Sequence, residues 1–231
     1  MQIPGNEIHI YSIDSKVVVN EIESFREVLS EFEILKAKRF KFDKDKKNYI
    51  VFRSTLRKIL SEYLITDPSS ITFSYSEKGK PYIKDSILKF NVSHSRSLAV
   101  YAVTLNDELG IDTEHIKKMP DAFEIAQRYF SIKENTEFAE LKKGEIPLSF
   151  FNCWTRKEAF IKALGYGLSY PLADFSVSFK PGDEPQISWI KDNDKKKNEW
   201  SLFNIDIAKG YVTSLAVKSK KKNIVIKNLK P

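Results

Sequence analysis

Apolar and polar residues alternate in short stretches that predict β-strands before, between and after three helical segments. The predicted strands cover residues 8–13, 71–76, 88–105, 109–114, 175–179, 187–190, 200–207 and 211–217. Helical spacing covers residues 22–60, with a break near Asp43, and then residues 122–143 and 150–164, after which Gly165 is a common helix-stop residue. Strands and helices arranged in separate runs predict an α+β fold.

Four pairs of short, similar segments lie about a hundred residues apart in the chain. They indicate that one α+β unit occurs twice. The paired segments are 73–76 with 175–178, 38–40 with 127–130, 53–60 with 156–164, and 97–100 with 214–217. Their order predicts two similar α+β lobes related by pseudo-two-fold symmetry, residues 1–106 and 107–231, with the seam near Asn106. We expect the active site in the cleft between the lobes, because clefts between packed units are common ligand sites.

Charge and cysteine content narrow the class of protein. The 231 residues include 38 Lys and Arg against 31 Asp and Glu, and the net charge of +7 favours an anionic partner. The single cysteine, Cys153, excludes an internal disulfide and a thiolate metal site. The longest apolar run, Leu98 to Val103, is too short for a membrane span, and the N-terminus lacks a secretory pattern. We expect a cytoplasmic monomer with an exposed basic tail in its last fourteen residues, which hold six lysines.

Three carboxylates lie in two motifs that suit a metal ion. Asp112 and Glu114 stand two apart in a predicted strand, so both side chains point to one face. Carboxylates beside a phosphate-bearing substrate are typical ligands of Mg²⁺. Glu158 precedes Lys162 by four residues on a predicted helix, where the pair supplies a metal ligand or base together with a phosphate clamp. A solvated strand end and a surface ion pair are the alternatives.

A polar strand end and a basic stretch provide candidate phosphate contacts. The hydroxyl of Ser93 and the imidazole of His94 can hydrogen-bond phosphate oxygens, whereas a Ser-His pair this close on a strand rarely forms a working triad. The stretch 36–47, which begins with Lys36, holds seven Lys and Arg residues, and Lys80 lies in a turn between Gly and Pro. A hydrogen-bonded strand-edge histidine and a solvated helix face are the alternatives.

Taken together and in order, these motifs resemble the 4′-phosphopantetheinyl transferase superfamily, in the two-lobed type that activates surfactin synthetase and similar assembly lines. The matching blocks are Lys36-Ala-Lys-Arg-Phe40 with Arg53 and Arg57, Gly79-Lys-Pro81 with Phe90-Asn-Val-Ser-His-Ser95, Gly110-Ile-Asp-Thr-Glu114, and Trp154-Thr-Arg-Lys-Glu-Ala-Phe-Ile-Lys162 with Gly165-Tyr-Gly-Leu168. The third and fourth blocks together are the most specific. The likeness spans residues 36–172, more than half of the chain.

The resemblance implies transfer of the 4′-phosphopantetheine arm of coenzyme A to a serine of an apo acyl or peptidyl carrier protein. The other product is adenosine 3′,5′-bisphosphate, and the metal is Mg²⁺ or Mn²⁺. By resemblance, Asp112, Glu114 and Glu158 hold the metal, while Glu158 or a metal-bound water is the base. The residues that match coenzyme A contacts are Lys36, Ser93, His94 and Lys162 at the phosphates, with Lys162 also assisting the leaving group, and Lys80 near the adenine.

Two departures from the family pattern bear on these roles. Thr113 stands where an apolar residue is usual, and it should point away from the metal face. Glu33 stands where some relatives carry a second phosphate-binding lysine, a charge that Lys38 or Lys46 can supply instead. By the same resemblance, we expect the carrier to dock on the segment after the catalytic helix, from Gly165 to about Lys197, which carries Leu168.

Two other functions fit parts of the sequence. A basic nucleic-acid-binding domain would use the lysine-rich stretches but leaves the three carboxylates without a role, since acids in a basic groove oppose such binding. An Mg²⁺-dependent nucleotide phosphohydrolase would use the carboxylates but would form product without a carrier protein. The transferase interpretation, with neither nucleic acid nor membrane as a partner, accounts for all four blocks.

Overall fold

The computed structural model describes residues 2–18, 21–167, 170–220 and 222–229. Leu168, expected at the carrier surface, lies outside the described residues. The helices and strands in chain order are β1 (Glu7–Asp14), α1 (Ile22–Glu27), α2 (Glu31–Lys38), α3 (Asp43–Leu64), β2 (Ser74–Tyr75), β3 (Pro81–Tyr82), β4 (Leu88–Ser95), β5 (Leu98–Leu105), β6 (Leu109–His115), α4 (Ala122–Tyr129), α5 (Ile132–Ala139), α6 (Ile146–Leu164), β7 (Phe175–Val177), β8 (Ile187–Ile190), β9 (Ser201–Asn204), β10 (Tyr211–Val217) and β11 (Asn223–Ile226). A search of these helices finds none with the length and apolarity that a bilayer crossing requires.

Two sheets of matching topology form the framework. In the first sheet β5 lies between β1 and β4, and in the second β10 lies between β6 and β9, with antiparallel pairing throughout these strands. In each half, a strand leads into helices and then into a separate small hairpin, β2–β3 or β7–β8. This repeated order confirms the predicted α+β fold with two similar lobes.

The apolar residues separate into a core for each lobe and a third core between the two sheets. Residues of α3 pack on the first sheet and residues of α6 on the second. The third cluster joins side chains of β1 and β5, such as Ile10 and Val100, to Ile111 and Leu215 of the second sheet. Because β5 is buried on both faces, its sequence is a continuous apolar run rather than an alternating one.

The C-terminal strand corrects two expectations. β11 pairs in parallel with β1, with Glu7 opposite Asn223 and Ile10 opposite Ile226. A strand of the predicted second lobe therefore belongs to the first sheet. The last fourteen residues are in part a sheet edge rather than only an exposed basic tail, because Ile224 also packs against the core between the sheets.

Serine N-caps break the helical segments more often than their periodicity predicts. The side chain of Ser30 accepts the backbone N–H of Glu33 while the Glu33 carboxylate accepts the backbone N–H of Ser30, so α2 begins there. Ser131 and Glu134 form the same capping box at the start of α5. The break predicted near Asp43 agrees with the start of α3, but the predicted helical segments 22–60 and 122–143 each also break at a serine, Ser30 or Ser131, since a capping box fixes a new helix start.

Each capping-box glutamate is also the buried anchor of its lobe. Glu33 accepts hydrogen bonds from Arg53 and from Arg57 (2.8 Å), and these outweigh burial and hold its pKa below the ordinary value. In the second lobe Glu134 pairs with Lys157 at 2.7 Å. Arg57 and Lys157 each donate further hydrogen bonds to backbone carbonyls just before or at the start of the small hairpin. Glu33 is thus structural.

Two of the four pairs of similar segments occupy equivalent positions in the two lobes. Segments 53–60 and 156–164 lie in α3 and α6, and segments 73–76 and 175–178 include the first hairpin strand of each lobe. The other two do not correspond, because Leu98–Val100 begins β5 whereas Leu215–Val217 ends β10. Likewise 38–40 spans the end of α2, the helix whose capping box matches that of α5, whereas 127–130 spans the end of α4. The repeat is real, but only half of the motifs that predicted it occupy equivalent positions.

The two sheets meet along β4 and β6 through a ladder of side chains. No backbone pairing joins β4 to β6 among the described residues. Instead Asn91 Oδ1, Ser93 Oγ and Ser95 Oγ accept alternate backbone N–H groups of β6, at 2.9, 3.3 and 3.2 Å. The donors in β6 are Ile111, Thr113 and His115. Polar side chains therefore satisfy the edge of β6, which would otherwise leave backbone donors unpaired.

Gly110 lets α6 lie directly on β6. A Cβ atom at this position would be 2.2 Å from the carbonyl oxygen of Ala159 and 2.4 Å from the backbone nitrogen of Ala163. Both are backbone atoms of α6, so no side-chain rotation can relieve the clash. The close approach fixes the distance between the carboxylates of β6 and the side chains of α6.

We expect Gly110→Ala to destabilise the protein by about 3 kcal/mol or more, because overpacking here must displace a whole helix. Urea unfolding monitored by circular dichroism measures the loss. Gly144→Ala is the matched control, since no atom lies within 4 Å of its Cβ position, and its effect should stay within about 0.5 kcal/mol. Equal stability of the two variants would contradict the packing argument.

Candidate active site

Asp112 and Glu114 of β6 face a pair of serines on β4. Ser93 Oγ donates to Asp112 Oδ1 at 2.8 Å, and Ser95 Oγ donates to Glu114 Oε2 at 2.7 Å. The two carboxylates share a face of the strand, as their spacing predicts. Thr113 points to the other face, where its hydroxyl lies 2.7 Å from that of Thr213.

Helix α6 adds Glu158 and Lys162 to the same place. Lys162 Nζ donates to Asp112 Oδ1 at 2.6 Å, to Ser93 Oγ at 3.0 Å and to the Ile111 carbonyl at 3.3 Å. Among the described residues Lys162 forms its ion pair with Asp112, and none with Glu158. The surface ion pair that the helical spacing allowed is therefore absent from the described part of the chain, and the lysine instead links α6 to β6.

The carboxylates act on one another electrostatically. Burial raises the pKa of Glu158 to about 7, with a further contribution from the negative charge of Asp112. Burial and Asp112 also raise the pKa of Glu114. Lys162 offsets only part of this repulsion. A cation placed among the three carboxylates would relieve it.

Two buried carboxylate oxygens in this cluster have no hydrogen-bond partner among the described residues. They are Oδ2 of Asp112 and Oε1 of Glu158. In the described part of the chain, no three His, Cys, Asp or Glu side chains already converge on one metal position. The donor set nevertheless fits a hard divalent cation, since it consists of carboxylate oxygens, two of them unpartnered and buried. The three-carboxylate metal set stays a prediction.

A cleft of about 590 Å³ opens between α3 and the other face of β4. Its lining combines aromatic, apolar and cationic side chains: Lys36, Phe40, Lys44, Asp45, Asn48, Tyr49, Phe52, Arg53, Leu56, Pro81, Val92, His94 and Arg96. Strand alternation explains how β4 serves two surfaces. Residues 91, 93 and 95 meet β6, while residues 92, 94 and 96 line the cleft.

His94 connects the cleft to the carboxylate cluster. Its ring stacks on Phe52 with 5.4 Å between centroids. Burial of the ring lowers its pKa below the ordinary value, and the charge of Lys162 lowers it further while Asp112 opposes the shift. The charges of Lys162 and Asp112 therefore act on the imidazole. The cleft and the carboxylate cluster lie next to each other at His94.

The cofactor-binding residues expected from the sequence fall in three places. Lys36 and His94 line the cleft, and the Lys36 ammonium lies 5.5 Å from the ring centre of Tyr49. Ser93 is instead held between Asp112 and Lys162.

Lys80 lies outside the cleft, beside a separate cavity of about 370 Å³. Its ammonium donates to the carbonyls of Leu109 (3.1 Å) and Ala163 (3.3 Å) and lies 3.6 Å from Glu108. Burial lowers the pKa of Lys80. The side chain therefore ties the β2–β3 turn to β6 and α6. The expected contact with adenine finds no support in this geometry.

Several site residues were missed in the sequence. Ser95 holds Glu114, and its signal was the spacing of Asn91, Ser93 and Ser95, which matches the spacing of the carboxylates. Arg96 and Lys44 line the cleft, whereas Lys38 and Lys46, the expected substitutes at Glu33, line a small separate cavity. Nothing in the sequence distinguishes Lys44 from its basic neighbours, because only the packing of α3 on β4 selects it.

Comparison with known families covers both halves of the chain. Residues 108–216 match the family described as the 4′-phosphopantetheinyl transferase superfamily. Residues 18–106 match the family described as 4′-phosphopantetheinyl transferase, N-terminal. The two matches together include the cleft, the carboxylate cluster and both long helices.

Individual relatives agree with these matches. The 4′-phosphopantetheinyl transferase HetI of Nostoc is 30% identical over 92% of this chain and 88% of its own. The 4′-phosphopantetheinyl transferase Sfp of Bacillus subtilis is 36% identical over 73% of this chain and 75% of its own. Among solved structures, the holo-[acyl-carrier-protein] synthase of Thermotoga maritima matches with 22% identity and a TM-score of 0.38, over 49% of this chain and 63% of its own. The chain therefore belongs to the 4′-phosphopantetheinyl transferase superfamily and is an enzyme of that family.

Proposed function

We propose that the protein transfers the 4′-phosphopantetheine arm of coenzyme A to a serine of an apo acyl or peptidyl carrier protein and releases adenosine 3′,5′-bisphosphate. The observation that carries the proposal is the junction at His94 between a cationic, aromatic cleft and a cluster of three carboxylates. A nucleotide in the cleft has its phosphates beside that cluster. Phosphoryl transfer depends mainly on such positioning and on charge neutralisation.

The cleft binds the nucleotide end of coenzyme A. Phe52, Leu56 and Val92 offer apolar surface to the adenine. Lys36 and His94 offer donors to phosphate oxygens from opposite walls, since Lys36 belongs to α2 and His94 to β4. The reacting pyrophosphate lies toward Lys162 and the carboxylates.

Asp112, Glu114 and Glu158 are the residues that would hold Mg²⁺ or Mn²⁺. Such an ion neutralises the negative charge of the pyrophosphate when it is bound. The buried, unpartnered oxygens of Asp112 and Glu158 support this assignment. Ser93 and Ser95 keep Asp112 and Glu114 oriented through their hydroxyl hydrogen bonds.

Glu158 is the side chain best suited to accept the serine proton. Its Oε1 is buried and has no hydrogen-bond partner among the described residues, so it can accept that proton. The serine oxygen then bonds to the phosphorus that carries the pantetheine arm, and the bond from that phosphorus to the oxygen of adenosine bisphosphate breaks. Lys162, which is about one quarter exposed, stabilises the charge that develops on the leaving group.

In-line displacement sets the side from which the carrier approaches. The leaving adenosine bisphosphate occupies the cleft beside α2 and α3, so the serine enters from the opposite direction, over the second lobe. The net charge of +7 steers acidic carriers toward the enzyme.

We expect carrier modification to depend on the carboxylates and on a divalent ion. Mass spectrometry of apo carriers incubated with coenzyme A and Mg²⁺ should show a gain of one phosphopantetheine arm, which EDTA abolishes and Mg²⁺ or Mn²⁺ restores. Asp112→Asn and Glu158→Gln should each lower turnover by at least ~100-fold, because the charge at the pyrophosphate is no longer balanced.

Glu124→Gln, an exposed carboxylate change on α4, is the matched control and should keep full activity. Full modification in EDTA would contradict the metal assignment. Nucleotide product formed without any carrier would favour the phosphohydrolase alternative instead.

A second prediction separates substrate contacts from the lysine that holds the lobes together. His94→Ala and Lys36→Ala should weaken coenzyme A binding by about 1–3 kcal/mol each, as expected for a lost hydrogen bond to a charged group. Lys80→Met should keep this affinity but lower the thermal midpoint, because its carbonyl partners on β6 and α6 lose their donor. Isothermal titration calorimetry and thermal unfolding measure the two effects. If Lys80→Met instead loses coenzyme A affinity while its thermal midpoint stays unchanged, Lys80 contacts coenzyme A and does not stabilise the fold.

A further inference from the structure

The outer side of α2 and of the connection from α2 to α3 carries only two kinds of side chain. At every exposed position from residue 32 to residue 42 the chain holds either a large apolar residue or a cation. Two of these residues, Lys36 and Phe40, also line the cleft described above. The other six form the α2 surface: Phe32, Leu35, Lys38, Arg39, Lys41 and Phe42.

The apolar side chains of the α2 surface are not part of the core of the first lobe. Helix α2 packs on that core through the side that holds Ala37, which is 2% exposed. By contrast, Phe32 is 65% exposed, Leu35 48% and Phe42 61%. Phe32, Leu35 and Arg39 follow one another at spacings of three and four residues, so they share one side of the helix. The α2 surface therefore faces away from the core.

The equivalent helix of the second lobe shows that the fold does not require this apolar surface. Helix α5 begins with the same capping box as α2, and it buries Glu134 and Phe138 where α2 buries Glu33 and Ala37. The exposed residues from 133 to 143 are small or hydrophilic: Lys133, Thr136, Ala139, Glu140, Lys142 and Lys143. Large apolar residues at these positions are therefore a feature of the first lobe alone.

The positive charge of the α2 surface is not compensated within the protein. Lys38, Arg39 and Lys41 form no ion pair with any described residue. The acid within the same stretch, Glu33, is buried and bound by two arginines of α3. The Lys41 ammonium lies 5.6 Å from the ring centre of Phe42, so charge and apolar surface adjoin. Such a surface favours an anionic partner that also accepts apolar groups.

The mixture of apolar and cationic side chains distinguishes among anionic partners. Nucleic acid would contact the cations but leave Phe32, Leu35 and Phe42 in water. A protein interface concentrates apolar residues at its centre and is depleted of lysine there, whereas here the cations lie among the apolar residues. The headgroup region of an anionic bilayer accepts both kinds, because apolar side chains reach the acyl boundary while Lys and Arg bind lipid phosphates.

We propose that the α2 surface binds an anionic lipid surface, with its apolar side chains inserted at the level of the headgroups and its cations on lipid phosphates. The sequence predicted no membrane as a partner because it lacks an apolar run of spanning length, but interfacial binding needs no such run. Helix α2 belongs to the first lobe, whereas the proposed carrier approach is over the second, so the lipid-bound enzyme keeps its carrier side accessible. This orientation, unlike the binding itself, rests on the proposed function.

Sedimentation of the full-length protein with lipid vesicles tests the proposal. The wild type should bind vesicles of phosphatidylcholine with about one third phosphatidylglycerol. Binding should weaken at about 0.5 M NaCl and on phosphatidylcholine alone, since screening and neutral headgroups remove the attraction. Phe32→Ser combined with Phe42→Ser should lower the partition coefficient by about tenfold or more, because two apolar side chains no longer insert. Arg39→Gln combined with Lys41→Gln should lower it on the anionic vesicles only.

The equivalent helix of the second lobe supplies the matched controls. Ile132→Ser is the apolar control, since Ile132 on α5 is 88% exposed. Lys142→Gln combined with Lys143→Gln is the charge control, because both lysines are exposed just after α5. Both controls should keep the partition coefficient within about twofold of the wild type.

Equal vesicle binding by the wild type and by the double phenylalanine variant would overturn the proposal. So would a wild type that fails to sediment with anionic vesicles, or one that binds neutral vesicles equally well. A dimer in light scattering that dissociates in the phenylalanine variant would assign the α2 surface to a second copy of the chain instead. Coenzyme A titration and carrier modification without vesicles, both unchanged in that variant, test the proposed function separately, so the two failures are distinguishable.

Discussion

The ladder of side chains between β4 and β6 is the interaction on which the rest of this structure depends. Neither edge strand pairs with the other through its backbone, so Asn91, Ser93 and Ser95 provide the acceptors that the β6 amides need. Serine is well suited here because one hydroxyl accepts an amide and also donates to a carboxylate. The lobe interface and the orientation of Asp112 and Glu114 are therefore one set of hydrogen bonds.

The two faces of strand β4 contact different parts of the proposed site, one the carboxylate cluster and the other the cleft. Residues 91, 93 and 95 of this strand face the carboxylate strand, whereas its residues 92 and 94, with Arg96 of the turn that follows, line the cleft. A single pleated strand thus fixes the distance between the proposed phosphate contacts and the carboxylates. Gly110 completes this geometry from the other side by admitting α6, which carries Glu158 and Lys162.

Duplication explains why the framework is symmetric while the site is not. Both long helices are anchored by a buried cation on a capping-box glutamate, Arg57 on Glu33 and Lys157 on Glu134. In the first lobe α3 offers aromatic and cationic residues to a cleft, whereas in the second lobe α6 offers a carboxylate and a lysine to β6. The same support therefore positions the proposed substrate-binding groups in one lobe and the proposed reactive groups in the other.

The sequence by itself determined the α+β class, the repeat and the pairing of Asp112 with Glu114, because alternation on a strand and spacing on a helix are local properties. It also picked out Glu158, Lys162 and His94. It could not place Lys80, Lys44 or Arg96, since their surroundings depend on contacts between residues far apart in the chain. Only the tertiary structure decided that Lys80 holds the lobes together and that Glu33 is a buried anchor. A lysine in a basic stretch looks the same in sequence whether it faces a cleft, a carbonyl or water, and packing alone makes the distinction.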